Sequence, residues 1–177
     1  MKLRLFPIVA TVVVSALLLF GGWYGYRQIA LQSPLEKMVK EYDGVNSAQF
    51  DITHSTVGLK LDLEPGTDLR DLIQHIKDNG ASLIAGKELQ VEVKDHSNDA
   101  LDKWWSEALF PIAEAMENKR YTEITSTLNE MTADLPGLKA TAEMDDTNVY
   151  ITLTDGDASK FIILPRTGEQ LGVWNNA

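Results

Sequence analysis

The sequence predicts an α+β fold preceded by an apolar membrane helix, and three observations carry that prediction. Residues 5–26 contain no charged side chain. Beyond them, apolar residues recur in separate blocks, either at helical spacing or at every second position. Gly, Pro, Asn and Asp mark the points where one period hands over to the other. The expected order is a transmembrane helix, then αββαβ, then αα-βββ, with the helices packed on a mostly antiparallel sheet.

The run LFPIVATVVVSALLLFGGWYGY would make a helix about 33 Å long at about 1.5 Å per residue, enough for a hydrocarbon core of roughly 30 Å. Lys2 and Arg4 precede it without an acid, and Trp23, Tyr24 and Tyr26 crowd its far end, where amphipathic rings settle at headgroup level. A cleaved signal peptide has a shorter apolar region ending in small residues, so the expectation is an uncleaved signal anchor. The short acid-free tail favours a cytoplasmic N-terminus with the domain outside, although Arg27, Lys37 and Lys40 nearly balance the flanks.

The expected boundaries are a basic tail at 1–4, the anchor at 5–26, a linker at 27–33, an αββαβ subdomain at 34–95, an αα-βββ subdomain at 96–166, sharing one core with the first, and a polar tail at 167–177. Ser33-Pro34 opens a helix in which Leu35, Met38, Val39 and Tyr42 share a face, and Asp43-Gly44 stops it. Ala48, Phe50 and Ile52, then Val57, Leu59, Leu61 and Leu63, alternate with polar residues as two strands of a hairpin. Pro65-Gly66 ends the second strand. Thr67 is the expected cap of a helix carrying Leu69, Leu72, Ile73 and Ile76, which Asn79-Gly80 closes. Residues 81–88 read as a loop, and Leu89, Val91 and Val93 as a third strand.

Ser97 and Asn98 then start a long helix bearing Leu101, Trp105, Ala108, Leu109, Ile112 and Met116, which Pro111 should kink or divide. A further helix is expected over about 122–135. Three strands follow, around 140–144, 149–153 and 160–164, joined at Asp145-Asp146 and Asp155-Gly156. LEKMVKEYDGV at 35–45 and LNEMTADLPGL at 128–138 match at Leu, Met and Gly, and each leads into a hairpin. The match is compatible with duplication, but any two helix-turn-hairpin units share an apolar face and a glycine stop, and that shared physics is the simpler reading.

All 26 acidic residues lie beyond residue 34, against 13 basic ones there, leaving that portion at −13. Such a domain should be repelled by nucleic acid and by anionic headgroups, leaving other envelope proteins, or further copies of the chain, as expected partners. With no cysteine, a disulfide framework, a thiolate zinc site and a cysteine nucleophile are excluded.

The stretch LEKMVKEYDGVNSAQFDITHSTVGLKLDL, followed by TDLRDLIQHIKD and ELQVEVKD, resembles the ring-building motif of bacterial membrane ring proteins. Inner-ring subunits of type III secretion systems and stage III sporulation channel proteins belong to that group. Gly44-Val45 and Ala48 hold the places of the motif's closing glycine-valine and first strand. The likeness covers residues 35–95 and implies side-by-side packing in an extracytoplasmic assembly. Residues 98–164 exceed the motif, and the second helix-hairpin lacks a helix between its last two strands.

Chemistry is sparse. His54, His75 and His96 show no ligand spacing, and nucleophile-elbow, P-loop and dinucleotide-binding patterns are absent, so neither cofactor nor metal is expected. Asp145-Asp146 and Asp155-Gly156-Asp157 read as turns before they read as calcium ligands. Trp104-Trp105 is the unusual dipeptide. Both rings can pack beneath a wide buried helix face, or Trp104 can join Phe110 in an exposed interaction patch. The functional expectation is a non-enzymatic, single-pass bacterial membrane protein whose outer domain serves protein-protein interaction or envelope assembly. The alternative is an envelope ligand-binding or hydrolytic domain using carboxylates such as Asp102 and Glu107.

Overall fold

A computed structural model describes residues 5–26, 33–84 and 86–167 of the chain. The basic tail at 1–4, the linker from 27 to 32 and the tail from 168 onward lie outside them. Helix α1 runs over Leu5–Tyr26. Among the described residues, no helix is long and apolar enough to cross a membrane.

The remainder is α+β, in two three-stranded sheets. In order these are α2 (Ser33–Lys40), β1 (Val45–Ile52), β2 (Thr56–Leu63), α3 (Leu69–Asn79), α4 (Ala81–Ile84) and β3 (Glu88–Val93). Then come α5 (Asp99–Glu117), α6 (Tyr121–Thr132), β4 (Leu138–Met144), β5 (Asn148–Asp155) and β6 (Ala158–Pro165). The first sheet has order β1-β2-β3, with β1 and β2 antiparallel and β2 and β3 parallel. The parallel pair follows from α3, because a helical crossover returns the chain to the end at which β2 began. The second sheet is the antiparallel meander β4-β5-β6.

Each sheet uses its alternation differently. Ala48, Phe50 and Ile52 of β1 and Val57, Leu59, Leu61 and Leu63 of β2 face a first core with Leu35 and Val39 of α2 and Leu72 and Ile76 of α3. The opposite face of that sheet, carrying Gln49, Lys60, Asp62 and Glu92, is polar. In the second sheet, β5 and β6 contribute side chains to both cores. Val149, Ile151, Leu153, Ile162 and Leu164 join α5 and α6 in a second core, while Tyr150, Phe161 and Ile163 turn to the first. At the seam the Ser159 N–H donates to the His96 carbonyl at 3.1 Å, an isolated β-bridge outside the named strands.

Three local expectations change. The α3 cap is Asp68, whose carboxylate accepts from the Asp71 N–H at 2.8 Å. Thr67, one residue earlier, shares its hydroxyl proton between the Glu64 carbonyl at 2.8 Å and the Gly44 carbonyl at 3.2 Å, tying the end of β2 to the start of β1. Residues 81–84 form a single helical turn in place of loop. Pro111 leaves α5 undivided, because Ala108, Ile112 and Ala115 are anchored in the core while Pro111 and Glu107, whose carbonyl loses its helical donor, lie on the exposed side.

The two matched glycines also part company. Gly44 has φ 87°, a left-handed conformation that favours glycine, whereas Gly137 is not among the positive-φ glycines. A Cβ on Gly44 would also run into the Thr67 hydroxyl. Gly44→Ala should therefore destabilise the fold by about 1–3 kcal/mol, read as a lower denaturant midpoint; an unchanged midpoint would show that the turn accepts a side chain.

Candidate functional site

On the uncovered polar face of the first sheet lies a cleft of about 600 Å³, walled at one end by the start of α5 and by β6. Period-2 alternation delivers Gln49, Lys60, Asp62, Glu92 and Lys94 to its floor. The Asn98 side chain caps α5 by accepting from the Leu101 N–H at 2.8 Å, which sets Asp102 one turn in, at the wall.

Lys160 is the pivot. It lies on the β6 face that also carries Ile162 and Leu164, so its stem is buried and the residue is only 8% exposed. Its ammonium reaches Asp95 at 2.8 Å and Asp102 at 3.0 Å. Burial works against the lysine charge, but the two carboxylates outweigh it and hold the ammonium above the ordinary lysine range. Asp102 is held below its ordinary value by hydrogen bonds from Ser97, at 2.7 Å, and from Lys160. Deeper along the floor, Asp62 accepts from Lys94 at 2.8 Å and meets His96 Nε2 at 2.9 Å. These contacts, Lys94 first, lower its pKa from 3.8 to about 2.

The cleft therefore holds ionised groups already matched in pairs. A general acid needs a raised carboxyl, and Asp62 and Asp102 are both depressed. Lys160, held protonated, is no base for Ser97. The carboxyl that is raised, Glu143, owes this to desolvation and then to a hydrogen bond with Asp68, and neither residue lines the cleft. Among the described residues, no group of three or more His, Asp or Glu could hold a metal ion. The geometry suits recognition of a polar, charge-patterned surface.

The structure separates the residues that sequence reasoning paired. Trp104 is 6% exposed, its indole N–H donating to the Met131 carbonyl at 3.2 Å across the α5–α6 contact. Phe110 is 76% exposed. Six residues at about 100° each put the two rings roughly 120° apart, and Trp104 shares its side with Leu101, Ala108 and Ile112. An exposed patch made by both is thus replaced by a core tryptophan and an exposed phenylalanine, with Trp105 half-buried against the same core.

The histidines are likewise dispersed. His54 sits in the β1–β2 turn, His75 tilts against Tyr42 with ring centroids 5.6 Å apart, and His96 meets Asp62. Asp145 is engaged by its own turn, since Oδ1 accepts from the Thr147 and Asn148 amides and Oδ2 from Tyr150 and Lys77. Asp102 was visible in the sequence as a candidate carboxylate, but Lys160 was missed. Its signal was available: a lysine two residues before Ile162 in a strand lies in the buried register.

No family model matches the sequence, and no curated protein is significantly similar to it.

Trp104→Ala should cost about 3–5 kcal/mol of stability. Intact stability with loss of a bound partner would instead return the ring to a contact role. Because the folded Asp62 pKa lies below the unfolded one, the unfolded chain binds more protons between about pH 4 and pH 2. The Asp62 contribution is then fully present above about pH 4 and fades as pH falls toward 2. Denaturation of wild type and Asp62→Asn across that window should show their stability difference shrinking on acidification; a constant difference would contradict the assignment.

Proposed function

We propose that this is a single-pass bacterial membrane protein, held by α1, whose α+β domain stands outside the membrane and serves protein-protein interaction or envelope assembly. The observation that carries the reading is the contrast between α1 and the rest. Its large apolar side chains from Val9 to Trp23 are 50–75% exposed, whereas the apolar side chains of the domain are mostly buried in two cores. So many exposed aliphatic groups call for a covering phase or partner. The uncharged run of residues 5–26, at about 33 Å, suits lipid.

The binding part of the reading rests on the cleft. Its paired charges and its position on an open sheet face favour a polar protein surface, and the −13 charge beyond residue 34 disfavours nucleic acid. The likeness of residues 35–95 to the ring-building motif favours copies of the chain, or related subunits, as the partners. The depressed carboxylates weigh against a hydrolytic domain acting on cell-wall material.

Fractionation of cells making the full chain tests the anchor. The wild type should stay in the membrane pellet through an alkaline carbonate wash, and a Val14→Arg, Leu18→Arg double variant should move largely to the supernatant. Recovery of the wild type in the soluble fraction would refute the anchored reading, and crosslinking in intact cells that captures neither a second copy nor another envelope protein would refute the interaction reading.

A further inference from the structure

A second groove, of about 560 Å³, opens on the core side of the first sheet, between β3 and β6 and beside α3 and α4. The bridge from Ser159 to His96 joins the start of β6 to the chain just past β3, and the groove lies toward the other end of β6, at Ile163 and Pro165. Ile73, Ile84, Leu89, Val91 and Ile163 form its apolar wall. All but Ile73 are only half-buried, so among the described residues a strip of aliphatic surface on the first core lacks a cover.

The charged and hydroxyl groups around the strip are already engaged. Lys77 pairs with Asp145 at 3.2 Å, and the Tyr150 hydroxyl donates to the same carboxylate at 2.8 Å. Lys87 donates to the Thr53 carbonyl at 2.6 Å and the His54 carbonyl at 2.8 Å, while Glu88 stands exposed at the rim. The groove therefore suits an uncharged, apolar occupant.

The course of the chain supplies one. Ile163, Pro165 and Thr167, alternate residues at the end of the described chain, all line the groove, so the chain leaves β6 along its wall. The sequence continues GEQLGVWNNA, in which Glu169 is the single charge and Leu171, Val173 and Trp174 fall within four positions. Gly168 is a residue suited to a turn. A segment tethered this closely is present at about millimolar effective concentration, so modest apolar burial suffices to hold it.

We propose that residues 171–174 turn back from Thr167 and dock in this groove of the same chain, Leu171, Val173 and Trp174 covering Ile84, Leu89, Val91 and Ile163. The chain thereby closes the open side of its own first core. This docking requires neither α1 in a membrane nor a partner at the charged cleft.

The test uses the full chain in lipid nanodiscs, with the photoreactive p-benzoylphenylalanine in place of Trp174 and crosslinks mapped by mass spectrometry after irradiation. Crosslinks are expected within one chain, to peptides containing Ile84, Leu89, Val91 or Ile163. A Leu171→Asp, Val173→Asp double change, which alters no residue of either described core, should lower their yield at least about fivefold. Hydrogen exchange on the chain without the photoreactive residue gives a second reading: amides 171–174 should exchange at least about tenfold more slowly than in the double variant. Crosslinks between two copies, crosslinks confined to lipid, to α1 or to the charged cleft, a yield indifferent to the double change, or equal exchange in the two chains would each overturn the proposal.

Discussion

Strands β5 and β6 send side chains into both cores, and the rest of the domain is arranged around that constraint. In β5 and β6, alternate side chains serve alternate cores: Val149, Ile151, Ile162 and Leu164 pack under α5 and α6, while Tyr150, Phe161 and Ile163 complete the core built by α2, α3 and the first sheet. A one-residue slip of β6 against β5 would exchange these sets and spoil both cores at once. The register also places Lys160 on a buried face, where only the flanking Asp95 and Asp102 make its charge tolerable. The polar cleft and the double-faced sheet are therefore two results of one alternation.

The first sheet obeys the opposite rule. One of its faces is core and the other is open, so its polar residues stand in ranks across neighbouring strands, with Lys60 meeting Glu92 at 3.0 Å and Lys94 meeting Asp62 at 2.8 Å. Exposed pairs of this kind contribute about 0–1 kcal/mol each to stability. Their larger effect is to fix a pattern of charge over the cleft floor.

Much of this was legible beforehand, and the failures have physical causes. The order of strands and main helices follows from periodicity and turn residues, because Ala48-Phe50-Ile52 or Leu72-Ile73-Ile76 admits one period only. Sheet pairing is a long-range matter, so the separation into two sheets, the parallel β2–β3 pair and the contribution of Tyr150 to the first core left no local trace. Thr67 and Asp68 are both good caps, and which one caps α3 is decided by the approach of Gly44. The Trp104-Trp105 ambiguity could not be resolved without α6, whose Met131 carbonyl gives Trp104 its hydrogen bond. Within the cleft, Asp102 could be named in advance, but of its partners Ser97 and Lys160 the lysine comes from far along the chain.

The attachment of α2 has a mechanical consequence. Leu35 and Val39 are its first fully buried side chains, and Gly44 and Thr67 clamp the chain just beyond them to the end of β2. Tension applied through the N-terminal helix would reach α2 before either sheet, and would meet the clamp before it could draw on β1. Since β1 stands beside β2 at the edge of the described sheet, tension passing the clamp would act on the β1–β2 ladder from the Val45 end, while the meander carrying Lys160 remained outside the load path.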